Sequence, residues 1–300
     1  MKAAVLGSPI AHSLSPVLHR AAYAAAGLAG WTYQAIECDE AGLPALVARC
    51  GADGADWAGL SLTMPLKRAI LPLLDHVDPL AADVGGANTV VFSAGQRHGY
   101  NTDVAGMVDA LAGAGLPAPR SAVILGAGAT ACSALAALRQ TGLRAVTVAV
   151  RDEARATALR AVAQRLGVRV DLRSLGSPGA LAGKDLLIST VPAGAADVLA
   201  ERAFAAAAPR AVFDVVYAPW PTPLAEAAAA AGAAVIGGFE LLLHQAGGQF
   251  ELMTGRRPAP LAAMRAAGLA ELDRRAAQAP ADAQAPADAQ APADAQAEVT

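Results

Sequence analysis

Short apolar runs alternate with helix-length segments along most of the chain. "AAVLG" (3–7) reads as a strand, Pro16 to Gly27 as a helix, and "WTYQAIEC" (31–38) as an alternating strand. "ALVARC" (45–50) begins a helix, "WAGLSLT" (57–63) is strand-like, and Pro65 to Asp75 predicts another helix. A second series opens at Ser121, where "SAVILGAGATACSALAALRQTG" is a strand, a glycine turn and a helix with Gly142 as its stop. "AVTVAV" (145–150), "DLLIST" (185–190) and "AVFDVV" (211–216) follow as strands with alanine-rich helices between them. "TPLAEAAAAAG" (222–232) is a further helix, "AVIGG" (234–238) the last strand, and "ELLLHQAGGQFELMTG" (240–255) turns helical again. Strands separated by helices predict an α/β fold with largely parallel sheets, and the late helices are expected to return to the first half.

The end differs in kind. "APADAQ" occurs three times in tandem from Ala279 to Gln296, with a proline every sixth residue and nothing large enough for a core. It reads as a disordered tail without bearing on the chemistry.

Composition narrows the function. A chain of 300 residues can hold two domains, and a net charge of −3 without basic runs argues against nucleic acid or an anionic membrane as partner. Cys38, Cys50 and Cys132 are widely spaced with no C-x-x-C pair, so neither a disulfide framework nor a metal site is expected. No strongly apolar run of membrane-spanning length or signal segment is read, and the expected location is the cytoplasm. Only three lysines (Lys2, Lys67, Lys184) and two asparagines (Asn88, Asn101) occur, so Lys67 and the asparagines are candidates for work that arginine or other polar residues cannot do.

"VILGAGATA" (123–131) places Gly126 and Gly128 directly after an apolar strand, with Ala131 at the third small position before a helix. That pattern in that context is a dinucleotide fingerprint: a tight turn, a close backbone approach to a pyrophosphate, and free N–H groups at a helix start. Gly126, Ala127, Gly128, Ala129 and Thr130 are the expected cradle. At the tip of the next strand stand Arg151 and, one helical turn on, Arg155, which suit a 2′-phosphate and favour NADP, while Asp152 between them leaves room for NAD.

Four polar clusters mark strand ends and turns in the first half: "HSLSP" (12–16), "SLTMPLK" (61–67), "GGANT" (85–89) and "GYNTD" (99–103). With "GSPIAHSLSPVLH" (7–19), "GAGATA" (126–131), "DVVYAPWPTPL" (214–224) and "GGFELLLHQA" (237–246), they make the chain resemble the shikimate dehydrogenase family from about Lys2 to Gly268. The resemblance implies a substrate-binding and catalytic domain over 1–103, a Rossmann-type doubly wound NADP-binding domain over 104–238, helices over 239–273 returning to the first domain, and a tail over 274–300. It implies the NADP-linked reversible reduction of 3-dehydroshikimate to shikimate. Ser13 and Ser15 would bind the substrate carboxylate with Tyr217 nearby, and Thr63, Lys67, Asn88, Asp103 and Gln245 would surround the ring hydroxyls and the reacting carbon. On the cofactor side it adds Thr190, Val215 and Gly238.

The chemistry fits those residue types. Hydride arriving at a carbonyl carbon builds negative charge on oxygen, so a proton donor is needed; Lys67 is that candidate, with Asp103 orienting it. Ser15 is the expected N-cap ahead of Pro16, Asn101 is expected to be structural, and His12 is expected to be a buried structural histidine. Several positions depart from the family's habit: Ser61 and Ala129 replace asparagine and glycine, Val150 and Asp152 replace asparagine and threonine around Arg151, and Leu241 replaces a methionine. Rival readings are an NAD(P)-dependent quinate/shikimate or aminoshikimate dehydrogenase and a non-catalytic NADP-binding regulator. The expected assembly is a monomer or homodimer.

Overall fold

A computed structural model describes residues 1–175, 181, 183–197, 199, 204 and 208–278, the Arg155 side chain excepted. The repeat tail and part of the stretch between "DLLIST" and "AVFDVV" lie outside them. Two six-stranded sheets organise the rest.

The first sheet contains β1 (Lys2–Gly7), β2 (Thr32–Glu37), β3 (Trp57–Leu62), β4 (His76–Val77), β5 (Thr89–Ser93) and β6 (Gln96–Tyr100), in the order β2-β1-β3-β5-β6-β4. β1 runs parallel to both neighbours, whereas β3 pairs with β5 and β5 with β6 in antiparallel register. The β5–β6 hairpin is absent from the sequence-based pattern. Its turn is made by Ala94 and Gly95, both left-handed at φ 51° and 75°, and alanine is a poor advertisement for that geometry. Around this sheet lie α1 (Ser15–Ala25), α2 (Leu43–Cys50), α3 (Leu66–Ala69), α4 (Pro79–Val84) and α5 (Asp103–Gly113). The single helix expected over 65–75 is instead α3 followed by a short 3₁₀ turn at Leu71–Leu73, as Pro72 removes a backbone donor.

The second sheet contains β7 (Ala122–Leu125), β8 (Ala145–Val150), β9 (Arg169–Ser174), β10 (Leu186–Ser189), β11 (Ala211–Asp214) and β12 (Ala234–Gly237), in the order β12-β11-β10-β7-β8-β9, every pair parallel. That is the doubly wound order of dinucleotide-binding halves, with its switch point between β7 and β10. β9 was not read from the sequence because it is an edge strand with no fully buried residue, so its alternation is weak. α6 (Ala129–Gln140) and α7 (Thr157–Leu166) cover one face, and α8 (Pro223–Ala230) lies over the β11–β12 side.

The last two helices, α9 (Gly238–Thr254) and α10 (Leu261–Gln278), return to the first half. Phe239, Leu243, Phe250 and Met253 of α9 and Met264 of α10 share a core with Val5, Leu14 and Leu18. α10 continues past residue 273 to Gln278, so the helix takes in Arg274 and Arg275, which the sequence reading left to the tail. Among the described residues no helix is long and apolar enough to cross a membrane, and the three cysteines are buried and free.

Candidate functional site

Between the two sheets opens a cavity of about 230 Å³ whose wall includes Ser13, Ser15, Thr63, Lys67, Asp103, Tyr217 and Gln245 from the first half and its returning helix. Thr130, Val215 and Gly238 line the same space from the second half. Residues 232 positions apart in the chain, Ser13 and Gln245, therefore meet in one cleft at the carboxyl ends of strands.

Its most polar point is an ion pair. Lys67 Nζ lies 2.6 Å from Asp103 Oδ2, with side chains only 14% and 6% exposed. Lys67 comes from α3, immediately after β3, and Asp103 is the first residue of α5, where a carboxylate is favoured by the helix dipole. Asn88 fixes the second carboxylate oxygen: its Nδ2 donates to Asp103 Oδ1 at 2.9 Å and to Thr102 Oγ1 at 2.9 Å. Its Oδ1 accepts from Thr102 N at 2.8 Å and from the Thr89 hydroxyl at 2.9 Å. Asn88 is 1% exposed and lies behind the cavity wall, so its hydrogen-bonding capacity is directed at Asp103 and its neighbours. Gln245 Oε1 accepts from the same amide at 3.3 Å, and Gly106 of α5 lets α9 come close, since a Cβ there would lie 2.8 Å from Gln245 N.

The serine pair stands at the start of α1. Ser13 Oγ accepts from Ser15 N at 3.3 Å. The N-cap position is Leu14, one residue earlier than expected, because Ser15 already has helical geometry and Pro16 follows as the second helical residue. His12, expected to be buried, is exposed at the cavity mouth; the buried histidine is His19, four residues into α1. His19 stacks on Tyr33 at 4.0 Å and lies 3.4 Å from Gln249 Oε1. Burial, partly opposed by that hydrogen bond, pulls its pKa down to about 4, and Nδ1 has no partner.

Gln249 is a cavity residue that motif reading passed over, and Ser61, read only as a departure from the family's asparagine, lines the same cavity. Tyr33 OH donates to Ser61 Oγ at 2.6 Å, Ser61 Oγ donates to Gln249 Oε1 at 2.8 Å, and Gln249 Nε2 donates to the Asn88 carbonyl at 3.1 Å. A hint was available: Gln249 follows Gln245 by one helical turn and so shares its face. Burial raises the Tyr217 pKa, partly offset by the charge of Arg275 and by a Leu14 backbone hydrogen bond.

On the other side the backbone dominates. Gly126 has φ +99°, and a Cβ there would lie 2.9 Å from Thr190 Oγ1. The Thr190 hydroxyl donates to the Leu125 carbonyl at 2.6 Å, bracing the turn. Gly128 is the N-cap of α6, and a Cβ built on it meets nothing within 4 Å; this open cradle before a helix start, with Ala127, Ala129 and Thr130 around it, fits a pyrophosphate. Arg151 is exposed at the end of β8. Asp152 turns its carboxylate back to cap Ala154 N at 2.9 Å. The Arg155 side chain lies outside the described residues. Gly238 serves close packing, its would-be Cβ falling 2.0 Å from the Val215 carbonyl oxygen. Asn101 joins the halves, its Nδ2 donating to the Gly86 carbonyl at 2.8 Å and to Ser133 Oγ of α6 at 3.3 Å. Among the described residues no cluster of metal-ligating side chains occurs.

Comparison with known proteins gives the same picture from a different direction. Residues 5–90 match the family model of the shikimate dehydrogenase substrate binding domain, and residues 238–267 match that of the shikimate 5'-dehydrogenase C-terminal domain. The chain is 41% identical to a shikimate dehydrogenase (NADP(+)) of Citrifermentans bemidjiense over 85% of its length and 90% of the relative's. The crystal structure of Mycobacterium tuberculosis shikimate dehydrogenase superposes with a TM-score of 0.80 at 43% identity, covering 90% of this chain and 99% of that one. A Thermus thermophilus shikimate 5-dehydrogenase in complex with NADP(H) and shikimate does so with a TM-score of 0.79 at 33% identity, covering 90% and 99%. An ion pair at the junction of a polar cleft and a glycine turn, in this fold and at these identities, leaves one conclusion: the chain belongs to the shikimate dehydrogenase family.

Proposed function

We propose that this protein catalyses the reversible NADP-linked reduction of 3-dehydroshikimate to shikimate, a step of aromatic amino acid biosynthesis. It acts in the cytoplasm as a monomer or homodimer, with small molecules as its partners. The observation that carries the reading is the Lys67–Asp103 pair, 2.6 Å apart, in a cleft shared by the serine pair and the first turn of α6.

In this reading residues 1–103 with 239–273 hold the substrate and 104–238 hold the cofactor. Ser13 and Ser15 bind the carboxylate through their hydroxyls, with Tyr217 beside them, and Thr63 and Gln245 meet ring hydroxyls. NADPH, when bound, supplies the hydride, and NADP⁺ accepts it in the reverse direction. Gly126 to Thr130 receive the pyrophosphate, Arg151 and Arg155 the 2′-phosphate, and Thr190, Val215 and Gly238 shape the nicotinamide side. The Lys67 ammonium gives its proton to the carbonyl oxygen as negative charge develops there; in oxidation, the neutral amine takes the hydroxyl proton. Asp103 holds Nζ in place, and Asn88 holds Asp103.

The test is initial rate by nicotinamide absorbance, with shikimate and quinate each paired with NADP and NAD. Turnover concentrated in the shikimate–NADP pair is expected. Preference for quinate or NAD would move the protein to the rival dehydrogenase reading. Silence in all four pairs with cofactor still bound would support the non-catalytic regulator.

A further inference from the structure

The end of α10 reaches the loop that carries the serine pair. Arg275 Nη1 donates to the His12 carbonyl at 2.7 Å, across 263 residues of chain. The guanidinium is itself held: Arg275 Nε donates to Glu271 Oε1 at 2.7 Å, and Arg274 donates to both oxygens of the same carboxylate at 2.7 Å each. The helix is seated firmly against α1, because a Cβ on Gly268 would lie 2.8 Å from Leu18 and 2.6 Å from Phe239. Arg275 does not line the cavity, yet its charge reaches the Tyr217 hydroxyl inside it.

The loop needs such a brace. Within it the Ser13–Ser15 contact is long, at 3.3 Å, and His12 and Ala11 are exposed. A pair of hydroxyls binds a carboxylate well only if their positions are set beforehand, since ordering the loop at binding would subtract from affinity. A guanidinium just outside the pocket also attracts the anion without desolvating itself.

We propose that Arg275 is a positioning residue for the substrate carboxylate, fixing the His12–Ser15 loop through the His12 carbonyl and placing positive charge behind it. This rests on the reading of Ser13 and Ser15 as the carboxylate site. The region in question lies past the last family motif, in a helix end that the sequence assigns to a tail.

Steady-state kinetics of the full chain carrying Arg275→Gln, Arg275→Lys or Ser13→Ala test it. Arg275→Gln is expected to raise the KM for shikimate about five- to tenfold, with kcat and the KM for NADP within about twofold of the parent. Arg275→Lys, which keeps the charge and a donor, should recover part of that rise. The rise of shikimate KM with added salt should be shallower in Arg275→Gln than in the parent. A shikimate KM unchanged in Arg275→Gln but raised in Ser13→Ala overturns the role of Arg275 alone. No change in Ser13→Ala overturns the carboxylate reading and the inference with it. A parallel shift of kcat, both KM values and melting temperature marks Arg275 as merely structural and also overturns it. If Arg275→Gln fails to fold, Arg275→Met, which keeps the apolar stem but neither the charge nor the donor, takes its place; the same rise in shikimate KM is expected, and no rise overturns the proposal.

Discussion

The two walls of the cleft are built by different means. On the side proposed to hold the substrate, the wall is made of side chains that hold one another: Lys67 on Asp103, Asp103 on Asn88, Ser61 on Gln249, and Gln249 on the Asn88 carbonyl. On the side proposed to hold the cofactor, the wall is the backbone of one turn, Gly126 to Gly128, with one brace from Thr190. A backbone cradle is local and tolerates changed surroundings. A side-chain network is assembled from β3, α3, the residue before β5, α5 and α9, and every member depends on the others being in place.

That contrast can be broken where it is sharpest. Lys67→Ala should lower kcat by about 10²- to 10⁴-fold while the KM for NADP stays near that of the parent. Near-normal turnover would remove Lys67 from the proton-transfer role. The next largest effect concerns His19 beneath the network. Its pKa is about 4 when folded against 6.5 for the free group, so the unfolded chain takes up a proton that the folded one refuses. The depressed value makes stability full above pH 6.5 and progressively lost as pH falls toward 4. Denaturant unfolding should therefore show a loss of roughly 2–3 kcal/mol from this group between neutral pH and roughly pH 4.5, and His19→Gln should flatten that part of the profile. An identical profile in the variant would mean that other groups govern it.

The smallest effect belongs to the cofactor wall. Gly128→Val adds a side chain where a Cβ meets nothing within 4 Å, so melting temperature should hardly move. The KM for NADP should nevertheless rise about tenfold or more, as the side chain occupies the approach of the pyrophosphate. An unchanged KM for NADP would show that the turn does not face the phosphates.

Legibility in the sequence followed the same division. The glycine turn, the strands β7 and β8 around it and the stop at Gly142 were all readable, because each depends on neighbours within a few residues. The clusters holding Ser13, Thr63, Lys67, Asn88 and Asp103 were readable as polar residues at strand ends, without any distances between them. The β5–β6 hairpin escaped notice because an Ala94–Gly95 turn lacks the usual asparagine or aspartate signal. Gln249 escaped because a glutamine on a late helix looks like surface until α9 is laid against β3 and α5. His12 was expected to be buried and is exposed, whereas the buried histidine is His19, since seven residues along this loop and helix separate an exposed turn from a buried face.

By itself the sequence determined the α/β alternation, the dinucleotide turn and the inventory of polar groups at strand ends, all of which arise from local backbone preference and hydrophobic period. Tertiary structure decided the partnerships: that Asn88 serves Asp103, that Ser61 answers to Tyr33 and Gln249, and that Arg275 holds the loop of His12 across 263 residues. The reason is physical. A hydrogen bond is set by distances of about 3 Å between atoms, and sequence spacing conveys such distances only within a turn or a helix, not between elements brought together by packing.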